Sequence, residues 1–299
     1  MRKPDFFIVG APKCGTSAMY TYLKQHPEIF MPKVKEPRFF GTDPDDHSRT
    51  VRTLEEYLSL FTGVKDEKRV GEASAAYFYS ERSAQEIKAF DPSARIMIML
   101  RNPVDMMYSW HNQQLYERNE DLVDFEKALD AEERRHNGLC LPDRVKRVEV
   151  LFYRDIARYT RHTQRYLDAF RAENVHIIIY DDFKADTVTT YRKALHFLDV
   201  SPGFQPAFQI VNASMRVRSP ALQDFLVHPP WVARRLVNAV LPRPVLQWLF
   251  SRFRWLNTKQ ERRAPMERGL RRRLQAECAG EVRQLGEMLG RDLSHWTTD

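Results

Sequence analysis

The stretch Gly10-Ala-Pro-Lys-Cys-Gly-Thr-Ser17 decides how this chain begins to fold. It follows the apolar run Phe6-Phe-Ile-Val9 and leads into the helical pattern Ala18-Met-Tyr-Thr-Tyr-Leu23. A strand, a glycine-containing loop and a helix in this order aim backbone N–H groups and the positive end of a helix dipole at one point. The stretch therefore predicts a binding site for a phosphate group, and we call residues 10–17 the phosphate loop.

The glycines of the phosphate loop have the spacing of the triphosphate-binding P-loop, G-x-x-x-x-G-K-[ST]. However, Thr16 stands where that pattern has lysine, and the lysine lies inside the loop as Lys13. Nucleotide triphosphatases also hold Mg²⁺ with the residue after that lysine and with an acidic residue at a strand end. The apolar run at residues 95–100 is followed instead by Arg101. These departures favour a ligand whose charge is met by lysine and arginine without a metal, and they leave a nucleotide kinase or triphosphatase as the alternative.

Apolar runs and helical patterns alternate along the chain. Residues 69–72, 95–100 and 175–180 are typical of buried strands, and the last two are continuously apolar, as in a parallel sheet covered on both faces. This order predicts an α/β fold, a three-layer sandwich around a central parallel sheet of the P-loop-like nucleotide-binding kind. Ligands of such sheets bind at the carboxyl ends of the strands. Helices are predicted at residues 83–90, 104–119, 125–135, 156–171, 187–198 and 266–289.

The composition indicates a packed protein. The chain has 299 residues, of which 43% are hydrophobic and 12% aromatic, enough for one large core. We expect a single domain over residues 1–299, with residues 221–263 as a helical insertion or lid rather than an independent domain. The first strand begins within about five residues of Met1 and no apolar run approaches a membrane span of about 18 residues, so we expect a cytoplasmic protein. Three widely separated cysteines fit neither a metal site nor a disulfide framework.

Positive charge is concentrated late in the chain. Residues 214–273 contain thirteen arginines and one lysine against three acidic residues, in a chain whose net charge is +7. Such a stretch suits an anionic ligand, an acidic substrate, a membrane surface or nucleic acid, or it forms solvated helix faces. Aromatic residues alternate with arginines at residues 221–256, which leaves a peripheral membrane contact as one alternative. No recognition motif of a nucleic-acid-binding module is present, so we do not expect nucleic acid as a partner.

A second element, Leu100-Arg-Asn-Pro-Val-Asp-Met-Met-Tyr-Ser109, follows the strand predicted at residues 95–100. Pro103 falls in the first turn of the next helix, where proline is tolerated. Arg101 and Ser109 are able to converge on one phosphate, the first as a charged fork and the second as a hydroxyl donor. Alternatively, Asp105 pairs with Arg101 and Ser109 is a residue of the helix surface.

Together these two elements resemble the sulfotransferases that use 3′-phosphoadenosine 5′-phosphosulfate (PAPS) as donor. The segments Lys35-Glu-Pro-Arg-Phe-Phe40, Gly71-Glu-Ala-Ser-Ala-Ala-Tyr77 and Leu289-Gly-Arg-Asp-Leu-Ser294 with Trp296 are similar to segments of the bacterial and heparan sulfate-type branches. The resemblance implies a 5′-phosphosulfate loop, a 3′-phosphate site and a late loop that closes on the donor. The donor-binding residues implied in this way are Pro12, Lys13, Cys14, Gly15, Thr16, Ser17, Arg101, Ser109, Asn212, Ser214, Arg216 and Arg218.

The resemblance also implies the reaction. An acceptor hydroxyl or amine would attack sulfur in line, and adenosine 3′,5′-bisphosphate (PAP) would leave without the help of a metal. Lys13 would contact the phosphosulfate and assist the leaving group. The acceptor implied is a saccharide, a glycolipid or a small molecule. Two departures, Arg38 where histidine is common and Ala73 where heparan sulfate-type enzymes carry lysine, mean that a glycosaminoglycan acceptor does not follow automatically.

Two residues are candidates for the catalytic base. The resemblance implies Glu36, although nearby lysines would lower its pKa and weaken it unless it is desolvated. Glu36 would otherwise pair with a lysine and only order its segment. The second candidate is His111, although a lone histidine at such a position is more often a packing or surface residue. Two further roles stay open. Glu72 faces the acceptor or has only a structural role at its strand. Cys14 is a nucleophile or, more commonly for such a residue, a small side chain that fills the loop.

Overall fold

The computed structural model of the protein describes residues 2–41, 51–143, 145, 147–209 and 264–298, together with the backbone of residues 215–217 and 258–260. The chain divides into two compact units. The first comprises Met1–Trp110, Phe152–Val211 and Glu267–Asp299, and the second comprises His111–Leu151 and Asn212–Met266. The single domain over residues 1–299 stays a prediction, and the insertion or lid at residues 221–263 lies outside the described residues except for one short strand.

The first unit contains a parallel five-stranded sheet, which confirms the predicted α/β class. The strand order is β2-β3-β1-β4-β5, so the strand that precedes the phosphate loop lies in the middle. In register, Ile8 lies opposite Ala73 on one side and Met97 on the other. The two-residue strand β2 was not predicted because so short a segment shows no periodicity. The strands are β1 (Phe6–Gly10), β2 (Ile29–Phe30), β3 (Arg69–Ala73), β4 (Arg95–Leu100) and β5 (Val175–Ile179).

Helices flank this sheet and also build much of the second unit. Two predicted helices match the structure residue for residue, at 83–90 and 187–198. In chain order the helices are α1 (Thr16–Leu23), α2 (Leu54–Ser59), α3 (Ser83–Phe90), α4 (Pro103–Glu117), α5 (Phe125–Asp130), α6 (Glu132–His136), α7 (Tyr153–Ile156), α8 (Tyr159–Ala169), α9 (Tyr180–Ala185), α10 (Thr187–Leu198) and α11 (Arg268–Leu289).

Residues 156–171 were predicted to form one continuous helix. This prediction was wrong, because the structure has two separate helices there, α7 and α8. The N–H of Arg158 donates to the carbonyl of Asp155, which closes the end of α7 with a tight turn. Arg158 itself has φ −75° and ψ 67°, outside the helical region, and α8 starts directly after it. The hydrophobic periodicity continues across this break, so the pattern alone did not show it.

The core of the first unit lies on both faces of the sheet. All five residues of β1 are buried, as expected for the central strand of a covered sheet. On one side an aromatic cluster packs Phe40 against Tyr57 and Tyr77 at ring distances of 5.4 and 5.8 Å. Burial of such large rings contributes about 25 cal/mol for each Å² of apolar surface removed from water. The cluster fixes the segment of residues 35–40 against the end of β3.

The second unit is held by a buried ion pair. Arg135 on α6 donates from Nη1 and Nη2 to the two carboxylate oxygens of Glu120, at 2.8 and 2.7 Å. Both side chains are fully buried, and the paired geometry satisfies both partners. This unit also contains an antiparallel pair of short strands, β6 (Met215–Val217) and β7 (Thr258–Gln260). No helix in the described part of the chain is long and apolar enough to cross a lipid bilayer.

Candidate active site at the carboxyl ends of the sheet strands

The phosphate loop lies between β1 and α1, at the carboxyl end of the central strand. Gly10 has φ +146°, and a Cβ atom there would lie 2.4 Å from Cβ of Phe78, so that only glycine fits. The N–H of Ala11 donates to the carbonyl of Met99 at 2.7 Å, which joins the loop to β4. A backbone contact to β4 and the close approach of Gly10 to Phe78 therefore help to fix the loop.

The loop ends where α1 begins. Gly15 has φ 93° and is the residue directly before the helix, and a Cβ atom there would lie 3.1 Å from the ring of Tyr180. The first N–H groups of a helix have no partner within the helix and carry the positive end of its dipole. At α1 these groups belong to Thr16 and Ser17, as the sequence predicts for a phosphate cradle.

Two side chains inside the loop differ sharply in their surroundings. Lys13 is partly exposed and has φ 61°, a conformation that is costly for a lysine and concentrates at functional sites. Cys14 is fully buried, with Sγ 3.3 Å from the carbonyl oxygen of Pro12 and 3.9 Å from the hydroxyl of Tyr159. Burial raises the pKa of Cys14 to about 12. A thiol in this state is a poor nucleophile, so the structure favours the loop-filling role.

Arg101 lies directly after β4, next to the strand that carries the phosphate loop. Its guanidinium is 5.1 Å from the ring centroid of Tyr180, a cation–π distance. The same ring lies next to Gly15, so the side chain of Tyr180 contacts both the phosphate loop and Arg101. Sequence reasoning missed Tyr180. The available signal was its position at the carboxyl end of β5, the strand next to β4.

The carboxylate of Asp105 lies beside Arg101 and is shared. Its Oδ2 is 3.7 Å from Nη2 of Arg101, while its Oδ1 accepts a hydrogen bond of 2.6 Å from Nη2 of Arg271 on α11. Ser109 follows Asp105 by four residues on α4, so the two lie on the same side of the helix as Arg101. The structure thus confirms the alternative pairing of Asp105 with Arg101, and the convergence of Arg101 and Ser109 on one phosphate stays a prediction.

Glu36 lies at the carboxyl end of β3. Its N–H donates to the carbonyl of Ala73, and its Oε2 accepts from the N–H of Ala75, both at 3.0 Å. Its Oε1 is 2.5 Å from Nζ of Lys35, and Nε of Arg38 lies 3.9 Å from Oε2. Glu36 and Arg38 both have positive φ, of 60° and 52°. Glu36 is therefore an oriented carboxylate between two cations, and it remains one-quarter exposed.

Glu72, unlike Glu36, is a buried carboxylate. Its side chain is fully buried and its Oε2 accepts hydrogen bonds from Tyr57 at 2.8 Å and from Tyr77 at 3.0 Å. Burial raises the pKa of Glu72 to about 7, against the opposing effect of these hydrogen bonds. The hydroxyl of Tyr77 also accepts from the N–H of Phe39 at 2.9 Å. This placement favours a role inside the fold, where Glu72 supports the segment that carries Glu36.

His111 belongs to the second unit and is fully buried. Its Nε2 lies 2.8 Å from the carbonyl oxygen of Leu122, and its ring lies 5.2 Å from the ring of Phe125. A histidine that contacts a backbone carbonyl and an aromatic ring in the interior is typical of packing. The geometry therefore favours Glu36 over His111 as the base, and the role of His111 stays a prediction.

The remaining predicted donor residues are not described by side chain. Asn212, Ser214 and Arg218 lie outside the described residues, and Arg216 is described only by the backbone of β6. Among the residues whose side chains are described, no group of three or more His, Cys, Asp or Glu is placed to hold a metal ion.

Comparisons with known proteins identify the family. The Sulfotransferase domain family matches residues 3–214. The chain is 26% identical over 292 residues to Carbohydrate sulfotransferase 15 of Homo sapiens, an alignment that covers 81% of this chain and 52% of that protein. It is 27% identical over 209 residues to Bifunctional heparan sulfate N-deacetylase/N-sulfotransferase 4 of Mus musculus, with coverage of 67% and 23%. The chain therefore spans about half or less of the length of these relatives.

A solved structure extends the comparison to the whole chain. The crystal structure of a sulfotransferase from Alicyclobacillus acidocaldarius is 31% identical in sequence, superposes with a TM-score of 0.73, and is covered fully, as is this chain. The match includes the parallel sheet and its flanking helices. The comparisons thus favour a sulfotransferase over the nucleotide kinase or triphosphatase alternative.

Proposed function

Because this chain belongs to the sulfotransferase family, we propose that it transfers the sulfuryl group of PAPS to a hydroxyl or amine of a saccharide acceptor. One observation carries the proposal. The phosphate loop, with its internal lysine, follows β1, and Arg101 follows the neighbouring strand β4. Two phosphate sites at neighbouring strand ends suit a nucleotide with phosphate at both the 5′ and the 3′ position.

The donor would be bound mainly by charged side chains and by backbone N–H groups. The N–H groups of Thr16 and Ser17 would bind the 5′-phosphate, since they start α1 directly after Gly15 and have no partner within the helix. Arg101 would hold the 3′-phosphate with its guanidinium fork, and Ser109 would add a hydroxyl donor. Cys14 and Pro12 are buried and would contribute through the loop backbone only.

Transfer needs charge stabilisation at one end of the reaction and proton removal at the other. Lys13 would neutralise the charge that develops on the 5′-phosphate oxygen as the bond between that oxygen and sulfur breaks. Glu36 would take the proton of the acceptor as its oxygen or nitrogen forms the new bond to sulfur. The contacts of Glu36 with the N–H of Ala75 and with Lys35 orient its carboxylate for this task.

The acceptor class rests on the relatives. The names of two of them include carbohydrate and heparan sulfate, which supports a saccharide acceptor for this chain. A glycolipid or a small molecule remains an alternative acceptor. Arg38 is partly exposed beside Glu36 and adds positive charge at the proposed acceptor end. Independence from metal, a cytoplasmic location and a membrane contact through residues 221–256 stay predictions.

The direct test is transfer of label. The protein is incubated with sulfur-labelled PAPS and a panel of neutral and acidic saccharides, and products are separated and identified by mass spectrometry. We expect a sulfated saccharide and an equal amount of PAP, in the presence of a chelator as well as without it. Hydrolysis of ATP that depends on Mg²⁺, together with no transfer from PAPS, would instead establish the kinase or triphosphatase alternative.

A further inference from the structure

The pairing of Asp105 links the donor site to the last helix of the chain. Arg101 and Arg271 lie 170 positions apart in sequence, yet both guanidinium groups approach the carboxylate of Asp105. Each takes a different oxygen, Oδ2 at 3.7 Å for Arg101 and Oδ1 at 2.6 Å for Arg271. The contact with Arg271 is the short, hydrogen-bonded one, so this arginine is the principal partner of the carboxylate.

A carboxylate beside a phosphate-binding arginine competes with the phosphate. The side chains of Arg101 and Asp105 are only 28% and 32% exposed, so water screens their attraction incompletely. If Asp105 had no other cation, its charge would be satisfied by closing on Arg101. An incoming phosphate would then have to displace that ion pair. A second cation that holds Asp105 reduces this competition.

We propose that Arg271 is a positioning residue of the 3′-phosphate site, which binds the carboxylate of Asp105 and thereby leaves the guanidinium of Arg101 available to the phosphate. The inference rests on the proposed function, because it needs a ligand with a 3′-phosphate. It adds to that function a residue of α11, far from the two sequence elements that predict the donor site.

The end of the chain is held at the same place by other contacts. Nδ2 of Asn102 donates to the carbonyl of Trp296 at 2.9 Å, and Nε1 of Trp296 donates to Oδ2 of Asp181 at 2.6 Å. Asn102 directly follows Arg101, and Asp181 directly follows Tyr180. The segment after α11 is therefore fastened to the residues that directly follow Arg101 and Tyr180.

The test compares two nucleotides. PAP carries the 3′-phosphate and AMP lacks it, so the ratio of their dissociation constants reports the 3′-phosphate site alone. For Arg271→Met we expect the affinity for PAP to fall about tenfold and the affinity for AMP to stay unchanged, as measured by calorimetry. Arg272→Met is the matched control, because it removes the same charge from an exposed neighbour on the same helix. We expect it to leave both affinities unchanged.

A second substitution distinguishes positioning from direct contact. In Arg271→Met combined with Asp105→Asn, the neutral amide no longer attracts Arg101, so we expect the affinity for PAP to return to within about twofold of the original value. Thermal unfolding of each variant shows that it is folded. Unchanged PAP affinity in Arg271→Met, an equal loss for AMP, or no recovery in the double variant would each overturn the inference. Failure of the unaltered protein to bind PAP would instead remove the proposed function on which it rests.

Discussion

The donor end and the acceptor end of the proposed site are built in different ways. The donor end consists of the phosphate loop and Arg101, and its geometry follows from backbone contacts and from the order of neighbouring strands. The acceptor end consists of residues 35–40, which depend on side chains from elsewhere, above all Tyr77 and the buried Glu72. The phosphate loop should therefore tolerate changes in the surrounding side chains, whereas Arg101 depends on its partner Asp105 and the acceptor end depends on Tyr77 and Glu72.

The largest effect is expected at the donor end, from Lys13→Ala. Without the ammonium group, charge on the leaving phosphate is not neutralised, and we expect kcat to fall about a thousandfold. The melting temperature should change little, because the side chain is partly exposed. Steady-state kinetics with PAPS and thermal unfolding measure the two quantities. A variant that retains most of its kcat would show that the internal lysine has no part in the chemistry.

The next effect is expected at the acceptor end, from Glu36→Gln. The amide keeps the size of the side chain and an oxygen for the N–H of Ala75, but it cannot take a proton. We expect kcat to fall about a hundredfold, with the dissociation constant of PAP unchanged. Lys35→Met serves as a control for loss of the ion pair. If Glu36→Gln turned over normally, Glu36 would only order its segment, and His111 would be the next candidate to test.

A smaller effect is expected from Tyr77→Phe, which tests how the acceptor end is supported. The variant removes the hydroxyl that joins Glu72 to the N–H of Phe39. We expect kcat to fall about tenfold through misplacement of Glu36, with PAP affinity unchanged. Tyr57→Phe is the matched control. It also removes a hydroxyl that donates to Glu72, and it likewise keeps the aromatic ring, which stacks on Phe39 at 4.4 Å. Equal kcat values for the two variants would contradict a specific role of Tyr77.

The smallest effect on turnover is expected from Glu72→Gln, whose consequence is a change in the pH dependence of stability. Burial raises the pKa of Glu72 to about 7 in the fold, from 4.5 in the unfolded chain. Between these values the folded state binds more protons, so the unaltered protein loses stability as pH rises through this window. The loss approaches about 3 kcal/mol at most. Glutamine does not titrate, so the variant should lack this loss.

The measurement for Glu72→Gln is the difference in melting temperature between the variant and the unaltered protein. Taking the difference cancels the other titrating groups, such as Asp5, whose pKa is also raised by burial. We expect the difference to shift in favour of the variant by several degrees between about pH 5 and pH 8. Parallel curves at all pH values would show that Glu72 does not titrate in this window.

The loop between β1 and α1 and the position of Arg101 at a strand end could be predicted from the sequence because their signals are local. The glycines and Lys13 fall within one loop, and Arg101 follows an uninterrupted apolar strand, so neither requires knowledge of distant contacts. The parallel sheet follows for the same reason. In contrast, the break between α7 and α8 depends on the backbone of one residue, Arg158, which hydrophobic periodicity does not report.

The residues that sequence reasoning missed act over long separations. Tyr180 meets Arg101 only because β5 pairs with β4, and Arg271 meets Asp105 only because α11 lies near the strand ends. The support of the acceptor end is similar, since Tyr57 and Tyr77 come from different elements and converge on Glu72. Contacts of this kind follow from strand order and packing, which a motif does not contain.

Binding of PAP in the presence of a chelator tests the donor site most directly. Calorimetry on the unaltered protein should show one site with micromolar affinity for PAP and markedly weaker binding of AMP, because Arg101 and Ser109 act only on the 3′-phosphate. No heat of binding at millimolar PAP, or equal affinity for PAP and AMP, would contradict the assignment of the phosphate loop and Arg101 to a PAPS site.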